Sequence, residues 1–184
     1  MKNKLIIGFV VIAVLFGALF LLTRGNYKSQ ESQTNQTGLE VGMTPPSFIV
    51  KTIDGKELSL ENLKGKPVIL QSYAFWCPSC LLESANLSEA ALPYKDKITI
   101  VSFTFDPQET KEATEEFKRT TKGFGGEGAF WDFVLLAQGD NVVFNYKMAG
   151  PDHTYIIGKD GQIVYKDRGI TSTETFSREI QKVI

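Results

Sequence analysis

The chain has 184 residues, 42% of them hydrophobic and 22% charged, which suits one globular domain with appendages and is short for two domains. Its formal net charge is −1; the basic residues Lys2, Lys4 and Arg24 precede Gly25 with no acidic residue among them, so the rest of the chain stands at −4. A mildly acidic soluble part argues against a nucleic-acid partner, whose binding rests on neutralising phosphates.

Residues 5–22 carry no charge and follow two lysines. As a helix they extend about 27 Å, close to the hydrocarbon thickness of a bilayer. A cleaved signal peptide is the alternative, but its apolar core runs about 7 to 15 residues and ends at a small-residue site. Here the apolar run is longer and passes directly into Thr23, Arg24 and Gly25. Residues 1–24 are therefore expected to form an uncleaved, single-pass transmembrane helix. No cysteine follows the run, which removes a lipoprotein anchor. Lys2 and Lys4 compete with Arg24 and Lys28, so charge alone sets the orientation weakly. Residues 25–44 form the expected flexible polar linker, with the nearly apolar-free stretch 29–38 as its tether. The folded domain is expected over 45–184.

Within that domain, residues 47–53, a turn at Asp54-Gly55 and residues 57–60 predict a small hairpin. Residues 66–73 read as a buried central strand, followed by a helix over 78–91. Residues 97–105 give a second buried strand. Asp106-Pro107-Gln108-Glu109 has the spacing of a helix start with Asp106 as cap, and that helix continues to about residue 120. Strand, helix, strand, helix implies parallel strands joined by right-handed crossovers. Residues 123–133 combine four glycines with Phe124, Phe130, Trp131 and Phe133. Trp131 and Phe133 are expected to anchor in the core ahead of a strand at 134–136, while Phe124 and Phe130 are candidates for an exposed patch. A short helix is expected at 140–148, capped by Asp140. A final hairpin pairs 154–158 with 162–166, and Thr171 to Glu174 has capping-box spacing for a terminal helix.

The chemistry concentrates in residues 73–83, Y-A-F-W-C-P-S-C-L-L-E, which hold the only two cysteines. With a helix starting at Pro78, Cys77 sits where unpaired backbone N–H groups and the helix dipole favour a thiolate. Pro78 suits the first helical position because it lacks an N–H that has no partner there. Cys80, one turn on and more shielded, is within reach of a disulfide. Cys77 then attacks and Cys80 resolves. A structural disulfide closing so short a loop constrains the unfolded chain little. A structural zinc site requires about four ligands, against two cysteines and one histidine here.

The run V-I-L-Q-S-Y-A-F-W-C-P-S-C, ending at Cys80, resembles the strand, tryptophan and C-x-x-C of the thioredoxin superfamily, in particular its membrane-tethered TlpA/ResA group. Residues 45–67 are similar to the lead-in of that group and of peroxiredoxin-like proteins. The resemblance extends from about Pro45 to Gly169. It implies an α/β thioredoxin-like fold, a central mixed β-sheet flanked by helices with an N-terminal hairpin, behind one N-terminal transmembrane helix. It also implies a thiol–disulfide oxidoreductase outside the cytoplasm that needs no cofactor and exchanges disulfides with disulfide-containing protein substrates, as a reductant supplied by a membrane or extracytoplasmic thiol donor, for example in cytochrome maturation, or in the reverse direction as an oxidant, since sequence does not set the direction. Catalytic Cys77 and Cys80 are then flanked by substrate-facing Trp76, Pro78, Pro151 and His153. Pro151 is the candidate for the family's cis-proline opposite the cysteines, given a one-residue insertion; otherwise Asp152 holds that place. His153, the only histidine, either lowers the Cys77 pKa as an imidazolium, relays a proton or binds metal, or is simply a polar residue that finds a backbone partner beside its strand.

The last of these motivates a rival. Residues 101–107 together with Asp152-His153 resemble Sco-type copper chaperones, which hold copper with two cysteines and a histidine, and soft thiolates with imidazole suit that metal. Sco cysteines are separated by three intervening residues rather than two, and their histidine lies further upstream of the hairpin. One departure from thioredoxins bears on mechanism: Gln71 stands six residues before Cys77, where they have a buried aspartate. Glu83 is either a substitute, if poorly solvated, or an ordinary solvated helix residue.

Overall fold

The structure, a computed structural model, describes residues 36–125, 127–135 and 142–184. The expected anchor and most of the expected linker lie outside the described residues. Among the described residues no helix is long and apolar enough to cross a membrane.

Strand β3 (Val68–Tyr73) is the centre of the sheet, and all six of its side chains are buried. The run V-I-L-Q-S-Y has no polar alternation because both faces are covered, as in parallel α/β sheets. Around it lie β4 (Thr99–Thr104), β5 (Phe133–Leu135), β6 (His153–Ile157) and β7 (Ile163–Arg168), in the order β5-β4-β3-β6-β7. β3, β4 and β5 are parallel, whereas β6 and β7 run antiparallel to their neighbours. Ahead of the sheet, β1 (Ile49–Lys51) and β2 (Glu57–Ser59) form the expected hairpin. This is the expected thioredoxin-like α/β architecture with its mixed sheet.

Strand parity divides the core in two. On one face Ile69, Tyr73, Ile100 and Ile156 pack against helices α1 (Pro78–Ala91), α2 (Lys111–Thr120) and α4 (Thr173–Gln181) through Leu87, Phe117, Phe176 and Ile180. On the other, Val68, Leu70, Val101, Phe103 and Tyr155 pack against Phe48, Val50 and Leu58 of the hairpin region and against the one-turn helix α3 (Val142–Asn145). Trp131 is buried, its ring 4.6 Å from that of Tyr73 and 5.6 Å from that of Phe117. It is the core anchor expected of it, while Phe133 is half-buried on β5. Phe124 is exposed, but Phe130 packs against the core and does not join it in an open patch.

Several boundaries differ from expectation for local reasons. α2 starts at Lys111, and Thr110 caps it by accepting from the Ala113 N–H at 3.1 Å. Asp106 is not the cap, because its carboxylate is engaged elsewhere. At α4 the cap is Ser172 rather than Thr171, which is buried. The helix expected at 140–148 reduces to one turn among the described residues and ends at Asn145, two residues before Lys147, whose φ is 50°. The folded part begins before Pro45. Gly42 donates its N–H to the Ile163 carbonyl at 2.7 Å, and Ile163 donates back to Met43 at 2.9 Å.

The α1–sheet contact decides whether the cysteines are held in place. Leu87 is fully buried there, so Leu87→Ala should lower stability by about 2 to 5 kcal/mol, read as a shift of the urea-unfolding midpoint without a change of slope.

Candidate active site at the start of helix α1

β3 ends at Tyr73, and after four intervening residues α1 begins at Pro78. The turn between them is closed by the Cys77 N–H donating to the Ala74 carbonyl at 3.0 Å. Cys77 is the N-cap of α1. Its φ of −97° and ψ of 105° are extended, and its sulfur accepts the Cys80 N–H at 3.2 Å. Pro78 occupies the first helical turn, and no acidic residue lies there to oppose a negative sulfur. Cys77 and Cys80 form a disulfide with Cα atoms 5.3 Å apart. Cys80 is the more enclosed of the two, 1% exposed against 5% for Cys77. The Ser79 hydroxyl lies 3.3 Å from the Cys77 sulfur. Trp76 stands beside the pair, 54% exposed, with its indole N–H donated to Asp106 Oδ2 at 2.8 Å.

Beneath α1 lies a polar stripe inside an otherwise apolar core. Gln71 points from β3 into it, fully buried, and its Oε1 accepts from Ser84 Oγ and from Trp131 Nε1, each at 3.2 Å. An indole N–H only donates, so the amide oxygen must face Trp131. Gln71 Nε2 is then a buried donor without a hydrogen-bond partner. Gln71 pairs across the sheet with Thr154, and Thr154 Oγ1 donates to Glu83 Oε1 at 2.8 Å. Glu83 is 0% exposed, so its reading as a solvated helix residue is overturned. Burial pushes its pKa up from 4.5 to about 8, opposed by the Thr154 hydrogen bond and assisted by the negative charges of Asp152 and Asp167. Its Oε2 has no partner. Glu83 follows Cys80 by three residues, which puts both on one helical face.

The second loop is tied to the end of β3. The Asp152 N–H donates to the Ser72 carbonyl at 3.2 Å, and the His153 N–H to Ser72 Oγ at 2.9 Å. Pro151 precedes these contacts, but its peptide bond is trans, since no cis bond occurs among the described residues. The expected cis-proline is therefore absent from this loop. Asp152 instead takes the unusual backbone conformation, with φ at 77°, a region that Asp tolerates better than most residues. His153 opens β6 and is nearly buried. Its Nδ1 lies 3.0 Å from the Gly150 carbonyl, which only accepts, so Nδ1 carries the proton. Burial, and then the Arg168 charge, hold its pKa below the usual imidazole value. A neutral ring does not supply the positive charge that would acidify Cys77. Among the described residues no three His, Cys, Asp or Glu side chains are grouped to hold a metal ion. Cys77, Cys80 and His153 are thus not gathered as the three copper ligands of the rival reading.

The structure brings Trp76, Cys77, Pro78 and Cys80 together in one turn and puts Pro151 and His153 on the neighbouring loop. Sequence reasoning undervalued Glu83. Its spacing from Cys80 was visible, but its burial depends on Thr154, 71 residues away, and no local pattern announces that.

Comparison with known proteins agrees with this geometry. A family model described as the AhpC/TSA family matches residues 41–166. The chain is 28% identical to the thiol-disulfide oxidoreductase ResA of Bacillus cereus over 99% of its length and 98% of that protein. It is 27% identical to the thioredoxin-like protein YneN of Bacillus subtilis over 73% of its length and 75% of that protein. Among solved structures it resembles the solution structure of a putative protein disulfide isomerase from Bacteroides thetaiotaomicron, with a TM-score of 0.64 at 25% identity, covering 79% of this chain and 88% of that one. With the fold, the disulfide-bonded C-x-x-C and the family match in agreement, this chain belongs to the AhpC/TSA family and is a thioredoxin-like oxidoreductase.

Proposed function

We propose that the protein is a membrane-tethered thiol–disulfide oxidoreductase that reduces disulfides of protein substrates on the extracytoplasmic side and is recharged by a thiol donor there. The observation that carries this reading is the disulfide pair at the start of α1 with a buried carboxyl one turn behind it. The uncharged stretch 5–22 and the near full-length match to ResA support the tether. A span of 1–24, a polar linker after it and a catalytic domain beyond give the site reach above the bilayer.

In the reduced protein the Cys77 thiolate, favoured by the helix N-terminus and the Cys80 N–H, attacks one sulfur of the substrate disulfide. A mixed disulfide forms, and the other substrate sulfur leaves as a thiolate. Cys80 then attacks the Cys77 sulfur, the second substrate sulfur leaves, and the Cys77–Cys80 disulfide remains. Two electrons pass to the substrate. Cys80 must lose its proton before it attacks, and Glu83 is the acceptor on the same helical face. With its pKa near 8 in the disulfide form, Glu83 holds that proton at neutral pH. Gln71 cannot take this part because an amide does not titrate.

Three outcomes test this. Cys77→Ser should abolish reduction of insulin disulfides, whereas Cys80→Ser should accumulate covalent mixed disulfides visible on non-reducing gels; insulin reduction by the Cys77→Ser protein would refute the assignment. Glu83→Gln should slow release from the mixed disulfide about 100-fold, the order expected for loss of a positioned acid–base group, measured by quenched-flow alkylation. Stability supplies an independent check on the same residue. The unfolded chain releases the Glu83 proton near pH 4.5 while the folded oxidised protein keeps it until about 8. The stability linked to this group is therefore complete below 4.5 and is lost as pH rises to 8, by up to about 1.4 kcal/mol per pH unit. In urea titrations across that range, Glu83→Gln should remove this component of the decline.

A further inference from the structure

The loop tied to the end of β3 contains an acid that the exchange chemistry does not use. Asp152 is fixed there by its backbone: its N–H donates to the Ser72 carbonyl at 3.2 Å, and its carbonyl accepts the Gly169 N–H at 2.9 Å. The φ of 77° that this requires is one that side chains rarely adopt. Its carboxyl is held less well. The side chain is 23% exposed, yet Oδ1 is buried and has no hydrogen-bond partner. Arg168 Nε lies 3.7 Å from that oxygen and His153 Nδ1 3.9 Å, but the Nδ1 proton is given to Gly150. A turned backbone and a buried acceptor without a donor are two separate costs at one residue, and together they call for a reason.

Few charged groups surround it. α1 contributes Glu83, β6 contributes His153, and β7 contributes Asp167 and Arg168, while the β3 contact, Ser72, is uncharged. Burial, and then the Arg168 charge, keep His153 neutral. Arg168 is thus the one cation in this group, and its side chain is 61% exposed, where solvent screens it. Asp152 bears on Glu83. Thr154, two residues further along, donates to Glu83 Oε1 at 2.8 Å. Burial is the main reason Glu83 keeps its proton, and of the two negative charges that add to it, Asp152 has a larger effect than Asp167.

In the exchange described above, the oxidised and reduced sites differ in charge. Reduction breaks the Cys77–Cys80 bond and takes two electrons from the thiol donor. Cys77 is left as a thiolate, and Cys80 takes the Glu83 proton, which leaves Glu83 a carboxylate. No proton is drawn from solvent, so two negative charges have appeared. A fixed negative charge nearby raises the free energy of this reduced site and leaves the oxidised one, neutral at both positions, nearly unchanged. A pair whose reduced form is less stable passes its electrons on more readily.

Resting on the thiol–disulfide reading above, we propose that Asp152 is a positioning residue whose fixed charge, set against Glu83 by the turned backbone of its loop, lowers the reduction potential of the Cys77–Cys80 pair, with Arg168 as a partial counterweight. Asp152 acts through Glu83 and biases the pair towards giving electrons to its substrate.

The test is the equilibrium of the full-length chain with reduced and oxidised dithiothreitol at about pH 7, where His153 is neutral, read as the fraction of the two cysteines open to alkylation. Asp152→Asn keeps the shape, tolerates the same backbone and removes only the charge. It should favour the reduced pair about threefold to tenfold, an upward shift of about 15 to 30 mV. Arg168→Gln removes the opposing charge and should move the equilibrium the other way, by less because solvent already screens it. A residue that only propped the loop through its ion pair with Arg168 would give both variants a shift of the same sign. In a Glu83→Gln background, Asp152→Asn should lose at least about half of its effect, since the charge through which it acts is gone. If Asp152→Asn does not fold, Asp152→Gly, which adopts the same φ freely, must give the same upward shift. An unchanged potential in the Asp152 variant overturns the proposal, as do shifts of one sign in both single variants or a full shift in the Glu83→Gln background. A wild-type chain that equilibrates with dithiothreitol but leaves insulin disulfides intact overturns the exchange reading instead, and the Asp152→Asn shift then still reports on Asp152.

Discussion

The site depends on a constraint of parity in β3. This strand is covered on both faces and held in register by β4 on one side and β6 on the other. A slip of one residue would exchange its two faces entirely. The existing register sends Ile69, Gln71 and Tyr73 beneath α1 and sends Val68 and Leu70 to the opposite core. The strand then ends where four residues suffice to reach Pro78, so the position of Cys77 follows from that of Tyr73. Tyr73 is fully buried, flanked by the Trp131 and Phe117 rings and hydrogen-bonded through its hydroxyl. Few positions in a domain of this size are fixed from so many directions.

The same parity places a polar residue where an apolar one would pack more easily. Gln71 lies under the cysteine helix, with Ser84, Thr154 and Glu83 around it. In a dry interior, polar groups that lack partners each cost about 1 to 3 kcal/mol. A fold selected only for stability would fill this space with leucine and valine. Glu83 avoids part of the cost by remaining protonated, which is the meaning of its raised pKa. His153 avoids it in the opposite sense, by staying neutral and giving its Nδ1 proton to Gly150. The loop across from the cysteines accordingly adds no positive charge, and what favours an anionic sulfur comes from α1 itself.

Much of this was legible in the residues. An unbroken apolar run ahead of Cys77, the proline after it and the three-residue spacing of the cysteines announce a buried strand turning into a capped helix, and β3 and α1 bear this out. Period and turn chemistry are local, and local signals placed the hairpins and the terminal helix within a residue or two. What was illegible is what depends on distant partners. Asp106 and Glu109 present the spacing of a helix cap, yet their carboxylates answer to Trp76 and Tyr73, 30 and 36 residues earlier. Pro151 has the residue type of a cis-proline but not the geometry, because the hydrogen bonds from Asp152 and His153 to Ser72 set the path of that loop. Glu83 has the look of a surface carboxylate, and only the approach of β6 encloses it.

The unpartnered atoms under α1 connect this cost to the chemistry. Gln71 Nε2 and Glu83 Oε2 are both buried and both lack a hydrogen-bond partner, an arrangement unusual enough in folded proteins to call for a reason. For Gln71 the orientation is forced, because Trp131 can only donate. The amide therefore presents a fixed donor dipole inside the stripe that contains Glu83. In the proposed exchange the Glu83 charge appears when Cys80 regains its proton on reduction, and it is neutralised when the disulfide closes. Desolvation opposes the charged form of Glu83, while Thr154 favours it. A carboxyl balanced between these influences gives and takes a proton near neutral pH, whereas a well-solvated glutamate would stay ionised and a fully isolated one would stay protonated. The polar stripe therefore weakens the core at the one place where a proton has to move together with the resolving sulfur.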